Sequence, residues 1–103
     1  MNAAEIVPVG RSGVRLSRLS LGGGPLGNMY RATNDDEAQE VVDTAWKAGV
    51  RYFDTAPHYG LGLSERRLGR ALRDRPRDEY VISTKVGRLL VPNPPGTTEL
   101  DEL

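Results

Sequence analysis

The chain begins with two short apolar runs, Ile6 to Val9 and Val14 to Leu16, on either side of Gly10-Arg11-Ser12-Gly13. Strand-forming runs around a glycine-flanked turn predict a β-hairpin over 6–16. Leu19 to Leu21 is a third short apolar run, and it leads straight into Gly22-Gly23-Gly24-Pro25, where backbone can approach a neighbour or ligand closely. A loop is expected from there to Thr33. Asn34 followed by Glu37 has capping-box spacing, and Asp35 and Asp36 suit the positive end of a helix dipole. Ala38, Val41, Val42, Ala45 and Trp46 then recur at helical spacing, and Gly49 can take the positive φ that ends a helix, so a helix is predicted over 35–48.

A strand-like run, Val50-Arg51-Tyr52-Phe53-Asp54, follows directly, and its alternation puts Val50, Tyr52 and Asp54 on one side. Thr55 to Leu63, with Pro57, Gly60 and Gly62, reads as a loop. Ser64 is the expected cap of a second helix, with Leu68, Ala71 and Leu72 on one stripe and an end near Asp74, ahead of Pro76. Tyr80 to Lys85 is the next strand, with Val81, Ser83 and Lys85 sharing a side. The order over 19–85 is therefore βαβαβ, which implies right-handed crossovers and a parallel sheet. Beyond Val86 both periodicities are lost and Pro92, Pro94, Pro95 and Gly96 punctuate an irregular tail, 86–103.

Composition narrows the class. A chain of 103 residues with 38% apolar positions supports at most one modest domain. Its 14 basic and 14 acidic residues cancel, so no polyanion-seeking field points to nucleic acid. The absence of cysteine rules out disulfides and thiolate chemistry and suits a reducing cytoplasm. No apolar stretch approaches the ~20 residues of a membrane helix, and Met-Asn-Ala-Ala-Glu is not a leader pattern, so no membrane association is expected.

Against this plain background, Asp54 and Lys85 stand at the C-terminal ends of consecutive predicted parallel strands, and Tyr59 lies in the loop above the same rim. That end of a parallel sheet is where ligands bind. A phenol, with an ordinary pKa of roughly 10, is a poor acid near neutrality. An ammonium beside it favours the phenolate, and a carboxylate keeps that ammonium charged and oriented. Together the three groups could form a proton donor for a carbonyl oxygen. Hydride would have to come from a nicotinamide cofactor, because no side chain donates it. Taken alone, the same residues would also make an ordinary strand-end ion pair and a loop tyrosine. His58 has no second histidine or cysteine with metal-ligand spacing, so no metal site is expected. Gly22-Gly23-Gly24 lacks the GxGxxG spacing of a Rossmann phosphate loop. Trp46 reads as core, and Arg66, Arg67, Arg70 and Arg73 as a solvated helix face.

Four ordered segments carry a family resemblance. They are Leu21-Gly22, Arg51-Tyr52-Phe53-Asp54-Thr55-Ala56-Pro57-His58-Tyr59-Gly60, Ser64 to Leu72 in the form SERRLGRAL, and Ser83-Thr84-Lys85-Val86-Gly87. With the hairpin as barrel plug, the chain from about Ile6 to Gly87 resembles the N-terminal third of the aldo-keto reductases. Lys85 to Pro92 is similar to that family's sugar and pyridoxal dehydrogenase branch. The resemblance implies the first units of a (β/α)₈ TIM barrel, an α/β fold left incomplete here. It also implies hydride transfer between NADP or NAD and a small carbonyl or sugar substrate. Catalytic roles would fall on Asp54, Tyr59 and Lys85, while Gly22, Gly23 and Gly24, with Asp54, would lie near the nicotinamide and its ribose.

The family's catalytic histidine belongs to a later strand, and His58 is not it. The residues that sandwich the nicotinamide and grip the adenosine phosphate would also lie beyond Leu103. A barrel of this type takes ~250 residues, so the chain is expected to be a partial domain, inactive alone and dependent on the C-terminal barrel portion to fold. The alternative is a non-catalytic remnant or interaction module that folds only against a partner.

Overall fold

A computed structural model describes residue 2 and residues 4–92, so the tail expected over 86–103 lies, from residue 93 onward, outside the described residues. Within them the elements are β1 (Ile6–Pro8), β2 (Arg15–Ser17), β3 (Leu21–Gly22), α1 (Asp35–Lys47), β4 (Tyr52–Asp54), α2 (Leu63–Leu72) and β5 (Val81–Ser83). Strands β1 and β2 pair antiparallel, with Val7 opposite Leu16. Strands β3, β4 and β5 form a parallel sheet in that order, with Leu21 opposite Phe53, Phe53 opposite Ile82, and Asp54 opposite both Gly22 and Ser83.

Helix α1 begins as its capping residue predicts: the Asn34 side chain accepts from the Glu37 amide at 2.8 Å, and Gly49 takes a φ of 99° just past the end. Its buried positions are Ala38 and Val42. Val41 was expected on the same stripe but is exposed, at its edge. Between the helices and the sheet lies a core of Val42, Phe53, Leu68, Leu72 and Tyr80, with Leu21, Trp46 and Ile82 packed against it. Trp46 stacks on Phe53 at 6.5 Å between centroids and meets the edge of Tyr80 at 6.1 Å. The Arg51 guanidinium covers the tryptophan's ring at 3.6 Å.

Some expectations are corrected. Val50 belongs to this helix-side core and not to the face shared by Tyr52 and Asp54. Its amide still bonds to Ala45 O of the helix end at 3.0 Å, so the alternation starts one residue later. The third strand is Leu21–Gly22 instead of Leu19 to Leu21, and the supposed loop after it holds a 3₁₀ turn, Gly24–Gly27, with Pro25 fixing its first residues. Lys85 stands two residues past β5, because the ladder with β4 ends at the Asp54–Ser83 pair. The hairpin docks at the other end of the sheet, where Arg51 N donates to Ser17 Oγ at 2.9 Å. This contact lies at the end of the sheet opposite Asp54.

Candidate active site

The side chains facing away from the helices are Tyr52 and Asp54 on β4 and Val81 and Ser83 on β5, all half-buried. Strand parity and register thus bring a carboxylate to the rim. The chain then runs from Thr55 through Leu63 and presents Tyr59 over the same spot. Gly60, Leu61 and Gly62 all take positive φ in this loop. Ser64 N donates to Tyr59 O and Arg66 N to Gly62 O, so loop carbonyls satisfy the first turn of α2.

Ser64 is therefore not a cap. It is fully buried inside the helix, where its hydroxyl meets Gly23 O and Thr55 Oγ1, each at 2.7 Å. Gly23 N in turn donates to Asp54 O at 2.6 Å. A Cβ at Gly23 would lie 2.7 Å from Asp54 O, so only glycine lets the end of β3 come this close. Gly27 packs equally tightly under the tyrosine loop, where an added Cβ would collide with the backbone of Tyr59.

Asp54, Tyr59 and Lys85 are brought together. The Lys85 ammonium has three protons and meets three acceptors: Thr55 O at 3.1 Å, Asp54 Oδ2 at 3.2 Å and Tyr59 Oη at 3.4 Å. The other carboxylate oxygen, Oδ1, accepts from Ser83 Oγ at 2.5 Å. The Ser83 hydroxyl, with help from Lys85 and against partial desolvation, holds Asp54 below the ordinary carboxyl value of 3.8. Hydrogen bonding to Tyr59, then to Asp54, pushes Lys85 above its ordinary 10.5. The carboxylate's contribution to stability is thus present above 3.8 and lost as pH falls through its lowered value; the ammonium's is present below 10.5 and lost as pH rises through its raised one. The pair stays ionised across the neutral range.

Tyr59 and Lys85 of this trio, with His58, Val86 and Arg88, line a cleft of about 220 Å³. Gly22, at the neighbouring strand end, faces open space where a Cβ would touch nothing. The arginine face of α2 is only partly as expected. Arg66, Arg70 and Arg73 are exposed, but the side chain of Arg67 is only 10% exposed. It donates to Leu26 O, Asn28 Oδ1, Thr33 O and Asp35 Oδ1 and so ties down the loop between β3 and α1. Nothing local in sequence marks these acceptors, two of which are backbone carbonyls.

Replacing Arg67 with methionine keeps much of the stem but orphans the Leu26 and Thr33 carbonyls, with an expected stability loss of about 1–3 kcal/mol. Faster proteolytic cleavage between residues 24 and 33 checks this. Lysine should rescue only in part, since it cannot span the fork of acceptors.

Comparisons with known proteins point to one family. The model of the aldo/keto reductase family matches residues 18–100. D-threo-aldose 1-dehydrogenase from a Pseudomonas species is 59% identical over 83 residues, which are 81% of this chain and 25% of that protein. Pyridoxal 4-dehydrogenase from Microbacterium luteolum is 42% identical over 98 residues, 95% of this chain and 28% of that one. Among solved structures, an aldo-keto reductase from Bacillus halodurans in its holo form superposes with a TM-score of 0.71 at 32% identity, covering 82% of this chain and 26% of its own. The present chain spans about a quarter of the length of the curated relatives it matches, and its hairpin and parallel sheet are an incomplete part of their barrel. The chain belongs to the aldo/keto reductase family, whose members generally act on small carbonyl substrates with NAD(P)H.

Proposed function

We propose that this chain supplies the proton-donating corner of an NAD(P)H-dependent oxidoreductase that interconverts a carbonyl and an alcohol, with a sugar or another hydroxylated aldehyde or ketone as substrate. The observation that carries the reading is the saturated Lys85 ammonium, whose third proton is directed at Tyr59 Oη. Because Lys85 donates to that oxygen, the phenol's own proton is left to point outward, into the cleft shared with His58 and Arg88. A substrate oxygen seated there would take the Tyr59 proton as charge builds on it, a general-acid step. Lys85 steadies the phenolate left behind, and Asp54 holds Lys85 charged and aimed. In the alcohol-oxidising direction Tyr59 receives the proton instead.

Support for a nicotinamide beside this corner is the open space at Gly22, one strand across from Asp54. Gly23 and Gly24 would shape the same rim, Gly23 by letting β3 and β4 close up. When bound, the nicotinamide supplies or accepts the hydride. The substrate class is suggested by the aldose and pyridoxal dehydrogenases among the relatives. A cysteine-free chain supports a cytoplasmic setting.

The test is a completed barrel, in which residues 1–87 of this chain are joined to the remaining three quarters of the Pseudomonas aldose dehydrogenase. Given NADPH or NADH deuterated at the transferable position of C4, the completed barrel should place deuterium on the carbinol carbon of the product. Turnover that leaves the label on the cofactor, or no turnover by a folded barrel, would contradict the proposal.

A further inference from the structure

We infer that Tyr52 and Ser83 form a hydroxyl relay that locks the Asp54 carboxylate in place, making Ser83 a positioning residue of the site proposed above. The register makes the relay. Tyr52 and Asp54 are two apart on β4 and face the same side, and Ser83 sits opposite Asp54 on β5. Tyr52 Oη lies 2.9 Å from Ser83 Oγ, which lies 2.5 Å from Asp54 Oδ1.

Counting protons fixes the direction. An ionised carboxylate only accepts, so the single Ser83 proton goes to Oδ1. Ser83 Oγ can then only accept from Tyr52, whose proton points back toward the serine. The two carboxylate oxygens are thereby divided, Oδ1 to Ser83 and Oδ2 to Lys85, and the carboxylate cannot rotate without breaking both bonds. That rotation matters because the place of the Lys85 ammonium, and with it the bond to Tyr59 Oη, depends on where Oδ2 points. Ser83 is also the leading cause of the lowered Asp54 carboxyl. The relay is built wholly from residues of this chain, and it rests on the proposed function only in what the positioning is for.

The experiment follows the Asp54 carboxyl carbon by NMR as pH is lowered in the completed barrel, alongside steady-state kinetics. Ser83→Ala removes the donor to the charged form, so the Asp54 midpoint should rise. Its kcat should fall about tenfold with KM changed by less than about twofold, because alignment and not substrate contact is lost. Ser83→Thr keeps the hydroxyl and should restore both. Tyr52→Phe should move the midpoint in the same direction by less. An unchanged midpoint in Ser83→Ala overturns the relay; if that variant fails to fold, an unchanged midpoint in Tyr52→Phe does so. The titration needs no turnover. A barrel that fails to transfer label yet shows the Ser83→Ala shift would sink the proposed reaction and leave the relay standing.

Discussion

Replacing Tyr59 with phenylalanine in the completed barrel should lower kcat by on the order of 10²-fold or more, while His58→Ala leaves most of the rate. The two residues are neighbours in one loop and both line the cleft, so a defect in loop packing or cleft shape would affect them alike. Only one of them is wired to the ionised pair. Tyr59 Oη receives the Lys85 proton at 3.4 Å and has a proton of its own to give. That distance is long, and catalytic contacts of this kind tighten when substrate binds. Phenylalanine preserves the ring under the ammonium, which stands 4.9 Å from its centroid, and removes only the hydroxyl. The loss should therefore appear in kcat, with a much smaller change in KM. Equal losses from Tyr59→Phe and His58→Ala in kinetic assays would show that the phenol is not the acid.

Much of this arrangement is legible in the sequence. Helix α1 announced itself through Asn34, Glu37 and Gly49, since a cap and a stop are local chemistry. The parity of Asp54 was legible as well, because a side-chain period of two needs no knowledge of the partner strand. Lys85 reads as part of the strand because alternation in sequence continues past the point where β4 runs out of residues to pair with. Ser64 differs from its expected role for a related reason. A serine before an apolar run is a cap signal, but three positive-φ residues ahead of it bring loop carbonyls to the helix start and leave its hydroxyl for Gly23 and Thr55. The role of Arg67 had no sequence signature, because its acceptors become a site only when a loop more than 30 residues away folds over it. Ser83 was seen to share a side with its strand neighbours, and the missing step was register: parity names the face, and only pairing shows that Asp54 is opposite. The roles proposed for Asp54, Tyr59 and Lys85 rest on family resemblance, to which the geometry adds that the three groups meet.

The second large effect concerns the 103-residue chain by itself, which should neither unfold cooperatively as a monomer nor turn over substrate. Among the described residues β3 and β5 each pair on one side only, so both carry an unpaired edge. Parallel strands need both faces covered, and two helices cover one. The other face leaves Tyr52, Val81 and Ser83 only half-buried, and beyond it Val86 and Leu89 are almost wholly exposed. Burial would contribute roughly 25 cal/mol per Å² of apolar surface, whereas ordering the backbone costs about 1–2 kcal/mol per residue whether or not that face is covered. The balance favours unfolding or association, and a thermal scan should be broad and concentration-dependent. Catalysis fails for a separate reason. One rim of glycines beside Asp54 cannot hold a dinucleotide in register with a carbonyl, and without that register the proximity term is lost.

The measurement that tests the central claim most directly is NAD(P)H-dependent carbonyl reduction by this chain, alone and then with the remaining barrel portion of the Pseudomonas aldose dehydrogenase supplied in trans. The account predicts a rate indistinguishable from the blank for the chain alone, a rate restored by the added portion, and no comparable restoration when the chain carries Tyr59→Phe. Turnover above the blank by the chain alone, or equal restoration by the Tyr59→Phe chain, would contradict it.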